Sequence, residues 1–214
     1  MLTILAVLFL SYLAGSFPTS IIVSRLIKGI DIRDHGSGNA GATNVYRIVG
    51  WKAALIVVVV DVGKGVLATV LISQLRIGSI PDIAPSLFRI FAGVSAIIGH
   101  SYPIFAGFRG GKGVATGAGM VMGLYPLIFL ICLGVFVIIV IFTGTVSLAS
   151  MMAAITLPVS VYLLQGNTDQ PLLIFSLVIP FFIIYTHREN VSRLIKGEEK
   201  SLDSLKIFGK KEKD

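Results

Sequence analysis

Charge is scarce in this sequence. Of its 214 residues only 14% are Asp, Glu, Lys or Arg, against ~25% in ordinary soluble domains. A chain so poor in charge and 55% hydrophobic does not have the make-up of a water-soluble core. Cysteine is scarcer still. Cys132 stands alone inside an apolar run, so it forms no disulfide within one chain and no cysteine metal cluster, and reads as a buried, inert thiol. The first apolar run, "MLTILAVLFLSYLAGS", is preceded by no basic stretch; Arg25 and Lys28 come after it. That order fits a retained first span that starts outside, not a cleaved signal peptide.

Several catalytic patterns are missing as well. Position +5 after His35, His100 and His187 is Ala40, Phe105 and Ser192, so the HxxxxD arrangement of acyl-CoA-dependent glycerolipid acyltransferases is absent. No GxSxG elbow occurs. No clustered aspartates are present such as a two-metal phosphotransferase site needs. The three histidines fall near one interface without ligand spacing, so no metal is expected.

What the chain does have is apolar runs near 2–24, 53–73, 84–106, 113–142, 147–164 and 171–186. As one straight helix, 113–142 would be about 45 Å long at ~1.5 Å per residue, too long for a ~30 Å hydrocarbon core. Gly123-Leu124-Tyr125-Pro126 interrupts it, and proline disfavours helical geometry at the residue before it. Split there, the chain reads as an all-α polytopic membrane protein with seven transmembrane helices. Its N-terminus is then outside and its C-terminus cytoplasmic.

Charge supports that count. Of the 18 Lys and Arg residues, all but Lys64, Arg76 and Arg89 then fall in the inside segments 25–52 and 100–113 or in the tail from 187, as the positive-inside rule requires. With six spans the basic tail would face the other way. The net charge of +7 is explained by the same distribution, so no nucleic-acid partner is expected. Ala115, Gly119 and Gly123 recur every four residues, a small-residue face on which helices approach closely. Asp61 and Lys64 lie inside the second span one turn apart and are expected to pair with each other.

Three polar segments fall on the expected cytoplasmic side. "GSGNAGATNVYR" (36–47) offers Ser37, Asn39, Thr43 and Asn44 as neutral hydrogen-bonding groups and Arg47 as a cation. "GHSYPIFAGFRGGKGVAT" (99–116) sets Lys112 among Gly110, Gly111 and Gly113 just ahead of an apolar run. Unpaired N–H groups at a helix start, close glycine backbone and a lysine all suit a phosphate. The Walker pattern is not met: Gly107 is one residue too near the Gly-Lys pair, and Gly113 replaces the magnesium-holding hydroxyl. "THRENVSRL" (186–194) ends the last run. If the helix continues there, His187 and Asn190 share a face, and Glu189 and Arg193 form a solvated i, i+4 pair. Ser147 and Ser150 open the sixth span, one as a helix cap.

These segments describe a polar, cationic, glycine-rich site where a water-soluble phosphate compound meets a lipid. A lipid-synthesising transferase, a transporter of a small phosphorylated compound and a lipid-binding subunit all fit. A transporter carries its polar groups near the midplane. The one-sided clustering here favours the enzyme.

Taken together, "GSGNAGATNVYR", "GHSYPIFAGFRGGKGVAT" and "HREN", with "VSLAS" at 146–150, resemble the bacterial acyl-phosphate:glycerol-3-phosphate acyltransferases, the PlsY family. The resemblance covers 1–197 as one seven-helix acyltransferase domain and leaves 198–214 as a basic cytoplasmic tail. It implies transfer of the acyl group of an acyl phosphate to the 1-hydroxyl of sn-glycerol 3-phosphate. The products are 1-acyl-glycerol 3-phosphate (lysophosphatidic acid) and phosphate, an early step of phospholipid biosynthesis. No cofactor is implied. The place implied is the bacterial inner membrane with the site facing the cytoplasm. The upstream partner is the soluble acyl-carrier-protein:phosphate acyltransferase. Ser37, Arg47, Lys112, His187 and Asn190 are implied as catalytic. Asn39, Thr43, Asn44, Gly111, Gly113 and Ser150 are implied as substrate-binding. Arg47 and Lys112 would hold phosphates, and a phosphate oxygen of the donor would take the hydroxyl proton. A histidine base at His187 is the alternative.

Overall fold

Long runs of Leu, Ile, Val and Phe leave a backbone in an apolar layer one open-chain solution, the helix, because only there does every amide bond within its own segment. The computed structural model describes residues 2–77, 84–166 and 168–202, and these form α-helices joined by short turns. They are α1 Leu2–Gly15, α2 Thr19–Lys28, α3 Ala42–Ile48, α4 Trp51–Val66, α5 Pro85–Ser101, α6 Val114–Leu124, α7 Pro126–Thr143, α8 Val146–Gln165, α9 Gln170–Thr186 and α10 Arg188–Ile195. Among the described residues five helical stretches are long and apolar enough to cross a membrane, six if the bent pair α9–α10 is one span. α6 is apolar but shorter. The chain divides into two compact units, 1–126 and 127–214. Most of the tail expected from 198 onward, Lys206, Lys210, Lys211 and Lys213 included, lies outside the described residues.

Breaks decide this architecture. The first apolar run is two helices, parted at Ser16–Pro18, because Pro18 has no N–H to continue the ladder. The fourth run breaks where expected: Tyr125 leaves the helical region (φ −144, ψ 89) and Pro126 starts α7. α4 runs on into a π-turn at Leu67–Leu71 and a 3-10 turn at Ile72–Gln74, a change of winding the sequence pattern does not announce.

In the first unit, breaks leave carbonyls without helical partners, and long cations reach several of them. Lys64 Nζ, 2.6 Å from Asp61 Oδ1 in the expected ion pair, also donates to the Phe17 carbonyl at the α1 break. Arg89, on α5, donates to the Gly123 carbonyl at 2.6 Å, near the end of α6. Glycines set the packing. A Cβ on Gly119 would run into the Val62 carbonyl, and one on Gly65 into the Thr116 carbonyl, so α4 and α6 touch backbone to backbone. One on Gly123 would press Val70 Cγ2 at 3.0 Å. Gly119 and Gly123 of the anticipated small-residue face therefore do pack a helix. In the second unit α8 packs on α9, while α7 buries only Ile128 and Val140 and leaves Leu127, Leu130, Leu133, Ile138 and Phe142, among others, exposed, as a helix facing lipid does.

Gly119→Leu is expected to destabilise the purified protein by about 1–3 kcal/mol, the usual range for overpacking, read as a lower thermal midpoint in detergent. Gly63→Ala, whose Cβ would meet nothing within 4 Å, is expected not to lower the midpoint, since alanine favours a helix interior over glycine.

Candidate functional site

The first polar loop is shaped by its own side chains. Asn44, buried on α3, turns inward: Nδ2 donates to the carbonyls of Ile32 (3.1 Å), His35 (2.9 Å) and Asn39 (3.1 Å), and Oδ1 accepts the Ser37 amide at 3.0 Å. One side chain thereby replaces the ladder that the turn cannot form, and Gly36 and Gly38, at φ +67 and +71, make the reversal possible. Around it Ser37 lies exposed, with Asn39, Thr43 and Arg47 half-buried. Thr43 and Arg47 sit one turn apart on α3, and Arg47 is held by further interactions of its own.

Arg33 ties this loop to the second. Its Nε and Nη2 grip the Asp31 carboxylate at 3.0 and 2.8 Å, while Nη1 donates to the Ala106 carbonyl at 2.7 Å. The hydrogen bond from Arg33 outweighs partial burial and holds the Asp31 carboxyl well below the usual carboxylate range. A planar two-pronged donor suits this task better than an ammonium would.

The second loop folds back on the end of α5. Gly110 N–H donates to Ser101 O (3.2 Å) and Gly111 N–H to His100 O (3.1 Å). A Cβ on Gly111 would strike the His100 ring and lie 3.1 Å from the Ala40 carbonyl of the first loop, so glycine is required where the two loops meet. Gly113 then caps α6 at φ +79, and Lys112, half-buried between them, makes contacts of its own. Below the junction lies a recess lined by Ala40, Asp61, Lys64, His100, Arg109 and Gly111, among others. Its floor is the Asp61–Lys64 pair, with Thr19 donating to Asp61 at 3.0 Å and His100 Nδ1 at 3.7 Å. His100 was visible in the second motif, but nothing in the sequence marked it as the support of Gly111.

The third motif belongs to the second unit. α9 and α10 meet at 67°, with His187 at the corner, so the helix does not simply continue. His187 is buried, and its Nδ1 lies 2.8 Å from the Ile183 carbonyl. A carbonyl only accepts, so Nδ1 carries a proton here. Asn190 is buried too, and its Nδ2 donates to Glu199 at 2.6 Å. Ser147 donates to the same carboxylate at 2.8 Å, while Ser150 bonds back to the Val146 carbonyl. Arg193 pairs with Glu199 at 2.8 Å, where the helical spacing had pointed to Glu189. Burial opposes charge on Glu199, yet the bonds from Asn190, Arg193 and Ser147 prevail and hold its carboxyl below the ordinary value. The sequence carries no signal for Glu199, which follows the motif in a stretch that reads as tail.

Comparison with known proteins adds the family context. The family model described as glycerol-3-phosphate acyltransferase matches residues 5–197. A glycerol-3-phosphate acyltransferase of Chlorobium phaeobacteroides (strain BS1) is 46% identical over 93% of this chain and 96% of its own. That of Pelodictyon phaeoclathratiforme is 43% identical over 99% and 100%. Among solved structures, PlsY (YgiH), an integral membrane glycerol 3-phosphate acyltransferase in its glycerol 3-phosphate form, superposes with a TM-score of 0.82 at 36% identity, covering 93% of this chain and 95% of that one. The same protein in its lysophosphatidic acid form gives 0.79 at 35% identity, covering 92% and 94%.

Because Asp31's carboxyl is depressed, its clasp on Arg33 is complete above about pH 4, the ordinary carboxylate value, and is lost only as pH falls through the lowered one. Hydrogen exchange across residues 32–41, corrected for intrinsic rate, is expected to stay constant from about pH 8 to 5. Asp31→Asn is expected to accelerate it at every pH in that range.

Proposed function

The chain belongs to the glycerol-3-phosphate acyltransferase family, and from that membership we propose that it moves the acyl group of an acyl phosphate to the 1-hydroxyl of sn-glycerol 3-phosphate. The hydroxyl oxygen attacks the acyl carbon, the bond from that carbon to the phosphate oxygen breaks, and lysophosphatidic acid and phosphate leave. The hydroxyl proton passes to a phosphate oxygen of the donor. No separate base is then needed, because the acyl carbonyl already carries a good leaving group. The enzyme's work is to hold two anions together and offset their repulsion. One observation supports this reading above the others: the glycine loop beside Lys112 is seated directly on the first polar loop, at Gly111 against the Ala40 carbonyl. That junction brings a lysine, a helix start and glycine backbone together, the donor set a phosphate needs. The substrate and product forms in which PlsY has been solved fit the same chemistry.

In this reading Lys112 and Arg47 hold phosphates, with Ser37, His187 and Asn190 completing the catalytic set. Asn39, Thr43, Gly111, Gly113 and Ser150 contribute to substrate binding, and Asn44 contributes by holding the loop that carries them. Residues 1–197 form the acyltransferase domain, and 198–214 follow it as a tail. The chain crosses the bacterial cytoplasmic membrane seven times, N-terminus outside, with the site facing the cytoplasm. The placing of the basic residues and the short α6 between Gly113 and Tyr125 support that topology. A soluble acyl-carrier-protein:phosphate acyltransferase supplies the donor.

The test is direct. Purified protein given palmitoyl phosphate and glycerol 3-phosphate is expected to form lysophosphatidic acid, and palmitoyl-CoA is expected not to replace the donor. Turnover with the thioester alone would overturn the proposed donor, and transport of the phosphate compound into liposomes without product would favour a carrier. Lys112→Ala is expected to lose about a hundredfold or more in kcat/KM while still inserting. His187→Ala is expected to lose rate without moving the pH profile, whereas a shifted profile would make His187 the base.

A further inference from the structure

Past the third motif the chain turns back toward it. Gly197, at φ +70, closes α10 with its N–H on the Leu194 carbonyl at 3.1 Å, and Glu198 N–H reaches the Arg193 carbonyl at 2.8 Å. Leu202 is buried, and its N–H bonds the Gly144 carbonyl at 2.8 Å. Between these anchors the Glu199 side chain is only 6% exposed. Three donors converge on it. Ser147 Oγ and Asn190 Nδ2 share one oxygen at 2.8 and 2.6 Å, and Arg193 Nε takes the other at 2.8 Å. A buried carboxylate needs such partners to stay ionised.

The arrangement constrains Asn190 as much as Glu199. The two ends of a carboxamide are nearly the same size and shape, but only the NH2 end can face an ionised carboxylate. With Nδ2 on Glu199, the amide has one orientation, and its acceptor Oδ1 is the type of group a substrate hydroxyl donates to. Building on the acyl-transfer reading above, we propose that Glu199 is a positioning residue: it fixes the orientation of the Asn190 amide toward glycerol 3-phosphate. Ser147 and Arg193 bond the same carboxylate and help keep it ionised. The acyltransferase domain then extends past 197 to Leu202, and the tail begins after it.

The experiment compares wild type, Glu199→Gln, Asn190→Ala and the double variant, each purified as the full chain and assayed with palmitoyl phosphate and glycerol 3-phosphate. Glutamine keeps the size of the side chain but lets either end of the Asn190 amide face it. Glu199→Gln is expected to lower kcat/KM for glycerol 3-phosphate by about tenfold, with KM for the acyl phosphate unchanged. In the Asn190→Ala background the same change is expected to cost less than about twofold, since residues acting through one another are not additive. Losses that multiply in full, or none in Glu199→Gln, would overturn the proposal. A second readout holds even where Asn190→Ala is inactive. The Asn190 side-chain amide resonances, assigned in 15N-asparagine-labelled protein by their loss in Asn190→Ala, are expected to shift in Glu199→Gln; unmoved resonances would overturn it. Ser147→Ala and Arg193→Met leave the Asn190 bond intact and are expected to lose less than about threefold; losses as large as that of Glu199→Gln would make the carboxylate a plain staple of the fold. Wild type that forms no lysophosphatidic acid would strike the acyl-transfer reading instead, and the amide resonances would still report on Glu199.

Discussion

A carbonyl left where a helix breaks in an apolar layer loses the amide that the helix would have supplied. The first unit of this chain breaks its helices repeatedly, and its long cations answer the exposed oxygens. Lys64 reaches Phe17, Arg89 reaches Gly123, and Arg33 reaches Ala106. A hydrogen bond from a charged group contributes about 1.5–3 kcal/mol, enough to make a broken helix end tolerable. The breaks are what allow polar loops to exist here at all. Unbroken helices would carry the chain across without presenting glycine backbone anywhere.

Two of those cations also build the site. Arg33, gripped by Asp31, fastens the loop of the first motif to the loop of the second. Lys64, paired with Asp61, forms the floor beneath His100, and His100 supports Gly111. A charge introduced to satisfy backbone thus becomes the frame for a junction at which Lys112 and the α6 start lie beside the first loop. In the second unit Glu199 reverses the signs. There a carboxylate gathers Ser147, Asn190 and Arg193, and orders a polar cluster where α10 turns away from α9.

Much of this was legible in the sequence, and particular residues show why. Pro126 follows Gly123 in a run too long for one straight span, so it marked the end of α6, whereas Pro158 and Pro180 sit inside α8 and α9. Glycines at four-residue spacing can only mean close approach or waste, and Gly119 and Gly123 do pack a helix. Asp61 and Lys64, one turn apart in an apolar run, had each other as the nearest partner. What stayed hidden depends on distance in sequence. Asn44 reads as a site donor by type, yet its amide holds the loop's backbone, because Ile32, His35 and Asn39 curl around it. His100 reaches Gly111 only after the chain reverses at Pro103–Gly107. Arg193 chose Glu199 over the helical neighbour Glu189 because the αL turn at Gly197 brings Glu199 back. Segments that reverse direction re-pair residues in ways that helical periodicity does not encode.

In the proposed reading the two loops, held together by Arg33, hold the phosphate of glycerol 3-phosphate. A 31P NMR titration of glycerol 3-phosphate with the purified full chain in micelles, without acyl donor, reports on that binding alone. A saturable change in the phosphate resonance is expected for wild type. At least about tenfold weaker binding is expected for Arg33→Met, which alters none of the residues assigned to the substrate, since mispositioned loops lose preorganised contacts. Folded Arg33→Met that binds as tightly as wild type would contradict it.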